Sequence, residues 1–527
     1  MNISRRFLLG SLGALPMARL AAGATAHRLT ILHMNDFHSR HEAVDGRALT
    51  CKAGERPDCF GGAARLATAL AASRATAEAA GRIVVLLDAG DQFQGSLFYT
   101  AWHGEVELAV MHLLGTDAMT VGNHEFDNGP ENLARFVKAA KFPVLSANVD
   151  ASAEPALAGL LRPFTLLKRG AISIGVVGLT TLETTTGSSP GPNVRFTPPA
   201  AALQQAAAAA RAQGAQIVVA LSHLGVAEDA ALAGRVPGVD IFVGGHSHTL
   251  LSDQEPGAAG PAHAAIAGPA GSAVVVQAGC FGRYVGRLDV DLDDSMRPVA
   301  FGGDTVHVGL DLPEEPRVAA LVGGYAQQLD GVRRRVIGQA PAPVGTDGCR
   351  VGECALGNFI ADAMLTKVRG ADIAINNAGG MRTGLPAGQI TLGDVLTLLP
   401  FGNTIASVKL RGADVQAALL SGLPRAGAGA FPQVAGLQLI WNPDSKTISD
   451  IRVRQPDGSF LPLDPQRLYL VVTNNFMRGG GDGYTIMRER GVDPYDAGPL
   501  LIDAVAEAIS AAGPLAPRMD GRLVVRQ

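Results

Sequence analysis

The stretch Val121-Gly122-Asn123-His124-Glu125-Phe126-Asp127 crowds an amide, an imidazole and two acids into five residues. Four other clusters have a similar character: Asp36-Phe37-His38, Gly90-Asp91, Ser222-His223 and Gly245-His246-Ser247-His248. Carboxylate, imidazole and amide groups are ligands of divalent cations, and a dinuclear centre needs one carboxylate that bridges both ions. Asp36 and His38 are separated by one residue and can face the same way. Asp91, at the tip of a Gly-Asp turn, is the natural bridge. Asn123 offers a neutral oxygen, His223 and His246 offer nitrogens, and His248 shares a face with His246. Two ions about 4 Å apart in such a site activate water for hydrolysis at neutral pH. His124 suits a role outside the metal shell, as a cation or general acid near developing charge. Asp127, three residues on, can hold its imidazole in one orientation. Glu125 reads as structural.

Each cluster follows a short apolar, β-branched run. Strands are expected at Leu29 to His33, Ile83 to Leu87, Ala118 to Val121, Val144-Leu145, Ile172 to Val177, Ile217 to Leu221 and Ile241 to Val243. Helices are expected at Gly62 to Ala80, Glu105 to Leu114, Pro130 to Ala140 and Gln204 to Gln213. Strands that do not alternate polar with apolar, separated by helices, indicate a buried α/β sheet. Ligands of such sheets sit at the carboxyl ends of the strands, the edge on which every cluster falls. Scattered core histidines would not sort themselves this way. Asp253 to Gly271, rich in Gly, Pro and Ala, reads as a surface loop, and Ala273 to Gln277 and Val285 to Val290 as strands closing the domain. Pro313 to Val336 reads as a linker helix ending in Arg333-Arg334-Arg335. With 527 residues the chain exceeds a single core. The expected units are a signal segment 1–26, a first domain 27–312, the linker 313–336 and a second domain 337–527.

The composition, 47% hydrophobic and 17% charged, is globular, and a formal net charge of −4 without a basic block gives no basis for nucleic-acid binding. Ser4-Arg5-Arg6-Phe7-Leu8-Leu9 is a twin-arginine pattern, and Ala24-Thr25-Ala26 an A-x-A cleavage site. The expectation is a periplasmic or secreted protein, carried by the twin-arginine export machinery, with no membrane span in the mature chain. The alternative is an ordinary secretory signal or an uncleaved anchor. Five cysteines suit an oxidising compartment. Cys51 with Cys59, and Cys349 with Cys354, could each close a local loop, leaving Cys280; the alternative is five buried thiols.

The second half carries another set of groups. Asn376-Asn377-Ala378-Gly379-Gly380-Met381-Arg382 follows a strand at Ile373 to Ile375. Leu399-Pro400-Phe401-Gly402-Asn403 follows a helical stretch, and Asn475-Phe476-Met477-Arg478-Gly479-Gly480-Gly481-Asp482-Gly483 follows a strand at Tyr469 to Val472. Glycines such as Gly379 let backbone amides approach an anion. Arg350 and Arg382 can grip phosphate oxygens bidentately. Phe401 and Phe476 could sandwich a flat ring, a contact worth roughly 1–3 kcal/mol per base. Asp482 could accept hydrogen bonds from ribose hydroxyls.

The series Asp-x-His, Gly-Asp, Gly-Asn-His-Glu, Ser-His and Gly-His-x-His resembles the calcineurin-like metallophosphoesterases. The longer Gly-Asn-His-Glu-Phe-Asp, with the C-terminal motifs, resembles the 5′-nucleotidase branch over nearly the whole mature chain. The resemblance implies a four-layer α/β/β/α sandwich followed by a smaller α+β substrate-binding domain, with one domain rotating against the other. It implies two divalent ions, zinc, manganese or similar. One would be held by Asp36, His38 and Asp91 with His248 as a further ligand, the other by Asp91, Asn123, His223 and His246. It implies base stacking by Phe401 and Phe476, phosphate contacts from Arg350 and Arg382, a base contact from Asn377, and a ribose contact from Asp482. The loops Cys51 to Cys59 and Cys349 to Cys354 resemble disulfide loops of the animal members. The implied activity is hydrolysis of nucleoside 5′-monophosphates in nucleotide salvage, by a monomer or dimer. The alternatives are a 2′,3′-cyclic phosphodiesterase, a UDP-sugar hydrolase or nucleotide-sugar pyrophosphatase, a thiosulfohydrolase and, in a different class, a non-catalytic nucleotide- or metal-binding envelope protein.

Overall fold

The computed structural model describes residues 27–45, 50–51, 58–268 and 271–526. The twin-arginine segment 1–26 lies outside the described residues. The first half builds two sheets. One runs Pro298–Gly302, Tyr284–Leu292, His27–Met34, Ile83–Asp88, Ala118–Thr120 and Val144–Leu145. The other runs Ala264–Gly268, Gly271–Val276, Ile241–Gly244, Ile217–His223, Ile172–Thr180 and Phe164–Arg169. The central strands of each are parallel, because helices cross between them.

Four layers follow from which residues are apolar on which face. Leu29, Ile31, Val85 and Leu87 of the first sheet pack against Ile174, Val176, Val219 and Val243 of the second in one fully buried core. The opposite face of the first sheet, through Leu32, Val84 and Leu86, takes the helices Ala63–Ala79 and Glu105–Leu114. The opposite face of the second, through Val177, Val218 and Ala220, takes Pro199–Ala212 and Val226–Ala233. Both faces of the central strands are buried, which is why these strands are continuous apolar runs.

The second half has its own core, centred on Ile373, Ile375, Val471, Val472 and Val408. Its main sheet runs Pro432–Ala435, Ile373–Asn377, Leu468–Asn474, Ile405–Arg411 and Val492–Tyr495. The helices Ala355–Lys367, Gly412–Gly422 and Leu501–Ala511 cover it.

Two sequence expectations need correction. The stretch 313–336 is not one helix but two, Pro316–Ala326 and Leu329–Arg333, after which Val336–Ala340 is a strand. Gly323, Gly324 and Gly331 dilute its helix propensity. The stretch 253–271 is not only loop: Ala264–Gly268 pairs antiparallel with Gly271–Val276 as an edge strand. Small residues on a strand exposed along one edge hid it. The strands expected near 273–277 and 285–290 exist but belong to different sheets.

Both expected cysteine pairs are disulfides, Cys51–Cys59 and Cys349–Cys354, and Cys280 is a free thiol. Among the described residues, no helix is long and apolar enough to cross a membrane.

Candidate active site

Every candidate ligand sits just beyond, or at the last residue of, a parallel strand. Asp36 and His38 follow His27–Met34, Asp91 follows Ile83–Asp88, and Asn123 follows Ala118–Thr120; His223 ends Ile217–His223, and His246 and His248 follow Ile241–Gly244. The chain must turn sharply there to aim short side chains back over the sheet edge. Five of the seven positions accordingly lie in the left-handed region: Asp36 (φ 51°), His38 (51°), Asp91 (55°), His246 (71°) and His248 (52°). Non-glycine residues seldom adopt this conformation, and they hold it where surrounding structure imposes it, commonly at functional sites.

The ligand atoms form three groups, each within 4.8 Å of one another: Asp36, His38 and His248; His38, Asp91 and His124; and Asp91, His223 and His246. Asp91 Oδ2 lies 3.0 Å from His223 Nε2 and 3.9 Å from His38 Nε2, between the sets. His248 Nε2 is 3.3 Å from Asp36 Oδ1 and 3.1 Å from His38 Nε2. Asp36, His38, Asp91, Asn123 and His223 are buried.

Four atoms decide whether this cluster suits a cation. Asp91 Oδ2, Asn123 Oδ1, His223 Nε2 and His246 Nδ1 are buried and make no hydrogen bond. Buried polar atoms in folded proteins are almost always paired, and leaving one unpaired costs about 1–3 kcal/mol. These four are the oxygen and nitrogen set that a divalent ion would satisfy, so the residues fit the group.

The remaining ring nitrogens and carboxylate oxygens are spoken for, which fixes where the free atoms point. His38 Nδ1 is 3.2 Å from Phe93 O, His223 Nδ1 is 2.6 Å from Ala89 O, and His246 Nε2 is 3.0 Å from Glu183 Oε2. Asn35 Nδ2 donates to Asp36 Oδ2 at 2.7 Å, and the His246 amide donates to the same oxygen at 2.9 Å. Such outer partners set tautomer and ring orientation in metal sites. Burial raises the Asp91 carboxyl, but the imidazoles of His223 and His124 outweigh it and hold the acid well below its usual range.

His124 stands beside this set. Its Nδ1 lies 2.6 Å from Asp127 Oδ2, and Ser188 Oγ holds the other Asp127 oxygen at 2.7 Å. Burial alone would lower the imidazole, but Asp127 and Asp91 overcome it and raise its pKa to about 9. The imidazole is therefore a buried cation, paired with the Asp127 carboxylate and held by it in one orientation. Glu125 accepts backbone N–H groups from Asp91 (3.1 Å), Gln92 (2.9 Å), Phe93 (3.3 Å) and Gly122 (2.6 Å). It clamps the turn that carries Asp91 onto the turn that carries Asn123.

The C-terminal candidates form a second cluster. Asn377 Nδ2 donates to Asp482 Oδ2 at 2.8 Å, and Asn474 Nδ2 donates to Asn377 Oδ1 at 2.8 Å. The Arg382 guanidinium lies over the Phe401 ring at 5.7 Å. Asn475 Oδ1 accepts from the Thr404 amide at 3.2 Å, which joins the loop after Phe401 to the turn bearing Phe476. Gly379 packs against Gly429, where a Cβ would come 2.8 Å from the Gly429 Cα. Arg350, in the Cys349–Cys354 loop, reaches the same neighbourhood through its carbonyl, which accepts from Gly427 N at 2.7 Å. Phe401 and Phe476 are 43% and 46% exposed, uncommon for large apolar side chains.

The two clusters do not share one cavity. A cavity of about 970 Å3 opens over the metal-type cluster, lined by His38, His124, His246 and His248 and facing Thr404, Asn475 and residues 493–498. Phe401, Phe476, Arg350, Asn377, Gly379, Arg382 and Asp482 lie outside it. What faces His124 is instead Tyr495 and Ala497. Tyr495, Glu183 and the clamp role of Glu125 were not read from the sequence. A lone tyrosine or glutamate carries no motif, and their partners are up to 372 residues away.

Residues 29–250 match the calcineurin-like phosphoesterase family and residues 336–489 the 5′-nucleotidase C-terminal domain. A 5′-nucleotidase of Bos taurus is 35% identical over 545 residues, covering 97% of this chain and 93% of that one. The trifunctional nucleotide phosphoesterase protein YfkN of Bacillus subtilis is 34% identical over 486 residues; the match covers 83% of this chain and spans 32% of the length of that protein. The crystal structure of a 5′-nucleotidase precursor from Thermus thermophilus is 38% identical, with 94% of this chain and 99% of that chain covered and a TM-score of 0.60. With both halves matched and the ligand geometry in place, the chain belongs to the 5′-nucleotidase family and is a phosphoester hydrolase of the calcineurin-like class.

Proposed function

We propose that the protein hydrolyses nucleoside 5′-monophosphates to nucleoside and phosphate, outside the cytoplasm, with two divalent ions. The reading rests on one combination: four buried ligand atoms without a hydrogen bond in the first half, and two half-exposed phenylalanines in the cluster with Arg382 and Asp482 in the second. One ion would be held by Asp36, His38, Asp91 and His248, the other by Asp91, Asn123, His223 and His246. Bound there, they supply Lewis-acid polarisation of the phosphoryl oxygens. His124, held by Asp127, donates a charged hydrogen bond from Nε2 to a phosphoryl oxygen as charge builds on it. Phe401 and Phe476 hold the base, Asp482 the ribose, Asn377 the base edge, and Arg350 and Arg382 with the Gly379 turn hold the phosphate. The cavity of about 970 Å3 over the metal-type cluster has room for a phosphoryl group, and rotation of one domain against the other would bring a nucleotide held by the C-terminal cluster to it. The two disulfides accord with a compartment outside the cytoplasm, and residues 1–26 would direct twin-arginine export. Two cores support two domains, 27–312 and 337–527, with Val318, Val322 and Leu329 of the connecting stretch 313–336 packed into the first core.

The test is a substrate panel of AMP, UDP-glucose, cyclic AMP and bis(p-nitrophenyl) phosphate, run with metal analysis of the purified protein. AMP should be the preferred substrate. Absence of phosphate release from AMP with zinc, manganese or cobalt present overturns the reading.

A further inference from the structure

The residues that cap the metal-type cluster come from the other half of the chain. Tyr495 OH accepts a hydrogen bond from Asn123 Nδ2 at 2.7 Å and donates to Ala497 O at 2.9 Å. The Tyr495 ring stacks on His246, centroids 5.9 Å apart and planes at 28°. Ala497 O is hydrogen-bonded by His124 Nε2. One short segment thus touches Asn123, His124 and His246 together. It takes the one proton of His124 that Asp127 does not hold, the proton a phosphoryl oxygen would need.

The segment is anchored to the nucleotide-type cluster. Val492–Tyr495 is the edge strand of the C-terminal sheet, with Ser407 opposite Tyr495. Thr404 Oγ1, three residues after Phe401, donates to Asp496 O at 2.5 Å. Asp496 forms a bidentate ion pair with Arg478, the last residue of the Asn475–Arg478 turn that carries Phe476. A planar ligand entering between Phe401 and Phe476 therefore bears on both ends of this attachment.

We propose that residues 493–498 are an autoinhibitory strap. It occupies His124 Nε2 and covers Asn123 through its amide nitrogen while the nucleotide cluster is empty, and is drawn off through Thr404 and the Arg478–Asp496 pair when a nucleoside is seated. This rests on the nucleotide reading above. The strap prevents a metal-loaded phosphoesterase site from acting on phosphate esters that lack a base.

The metal-loaded full-length enzyme, with Tyr495→Ala, Tyr495→Phe and Asp496→Ala variants, is assayed on AMP and on glycerol 2-phosphate, which has no ring to place between Phe401 and Phe476. Metal content is measured alongside, and hydrogen exchange over 493–498 is followed in the wild type with and without adenosine. Loss of the Tyr495 contacts should raise glycerol 2-phosphate turnover about threefold or more with metal content retained. Asp496→Ala should lower the ratio of AMP to glycerol 2-phosphate turnover about threefold, and adenosine should speed exchange over 493–498. Unchanged or reduced glycerol 2-phosphate turnover in both Tyr495 variants overturns the strap, as does metal loss, which would make Tyr495 a positioning residue for Asn123 and His246. If AMP is hydrolysed and the Tyr495 variants behave as wild type, the strap fails and the nucleotide reading stands. If AMP is not hydrolysed while glycerol 2-phosphate turnover rises, the nucleotide reading fails and the strap stands.

Discussion

His124 and Glu125 are neighbours with opposite tasks, and each can be separated from metal binding by substitution. His124 lies within one candidate ligand group, with His38 and Asp91, but both of its ring nitrogens have partners, Nδ1 with Asp127 and Nε2 with Ala497 O. His124→Asn should lower kcat by about 100- to 1,000-fold, the usual cost of losing a charge-stabilising donor, while metal content by elemental analysis stays at wild-type level. Loss of metal together with activity would instead make His124 a ligand. Glu125 never faces the cavity, yet four backbone N–H groups end on its carboxylate. Glu125→Ala leaves them buried without an acceptor, at about 1–3 kcal/mol each before relaxation. The expected result is a lowered Tm and weaker metal binding by calorimetric titration, with Glu125→Gln, which keeps one acceptor oxygen, in between.

At the scale of elements, the site is a set of strand-end turns pressed together at the carboxyl edges of two sheets. Their closeness is set by small residues. A Cβ at Gly122 would lie 2.2 Å from Asp91 Oδ1, 2.6 Å from Asp91 N and 2.9 Å from Glu125 Oε2. Gly122→Ala must push the turn of Asp91 away from that of Asn123, a strain of about 1–3 kcal/mol. Thermal unfolding should show a modest loss of stability, whereas metal affinity should fall steeply, because Asp91, the carboxylate proposed to bridge, is the group displaced. An alanine variant that binds metal as wild type does would show that the two turns are not coupled. The Cys349–Cys354 loop plays a similar part for Arg350, tying it to the start of the helix Ala355–Lys367.

At the scale of the whole molecule, the two halves keep separate cores, bridged by Leu97 and Val332, which pack on both, and by polar contacts. Thr100 Oγ1 donates to Asp503 Oδ1 at 2.9 Å, and Glu507 and Lys367 lie nearby. Burial raises the Asp503 carboxyl from 3.8 to about 7, against the opposing effect of the Thr100 hydrogen bond. The folded protein thus binds this proton where the unfolded chain does not. The contribution is fully present below about pH 4, declines as pH rises toward 7, and is gone above that, by up to roughly 4 kcal/mol. Asp503→Asn should remove this part of the pH dependence and raise the unfolding free energy at pH 8 relative to wild type, measured by urea denaturation across pH 5–8. An unchanged pH profile would show that Asp503 does not carry it.

Much of this was written locally. Apolar runs ending in Asp, His and Asn placed the ligands, since a residue's position at a strand end depends on its sequence neighbours and on helices that force parallel pairing. The glycine-rich turns with Phe401, Phe476 and Asp482 were equally visible, because their chemistry is carried by contiguous residues. Other features were not. The break between Pro316–Ala326 and Leu329–Arg333, the edge strand Ala264–Gly268, and the separation of 273–277 from 285–290 into different sheets depend on packing partners rather than propensity. The contacts of Tyr495 with Asn123 and His246 join residues hundreds of positions apart. The amino-acid sequence determined which groups could act and on which strand ends they stand. Only the tertiary structure decided that the nucleotide-type and metal-type clusters face different spaces, because that depends on how two separately folded cores rest against each other, and no local pattern encodes it.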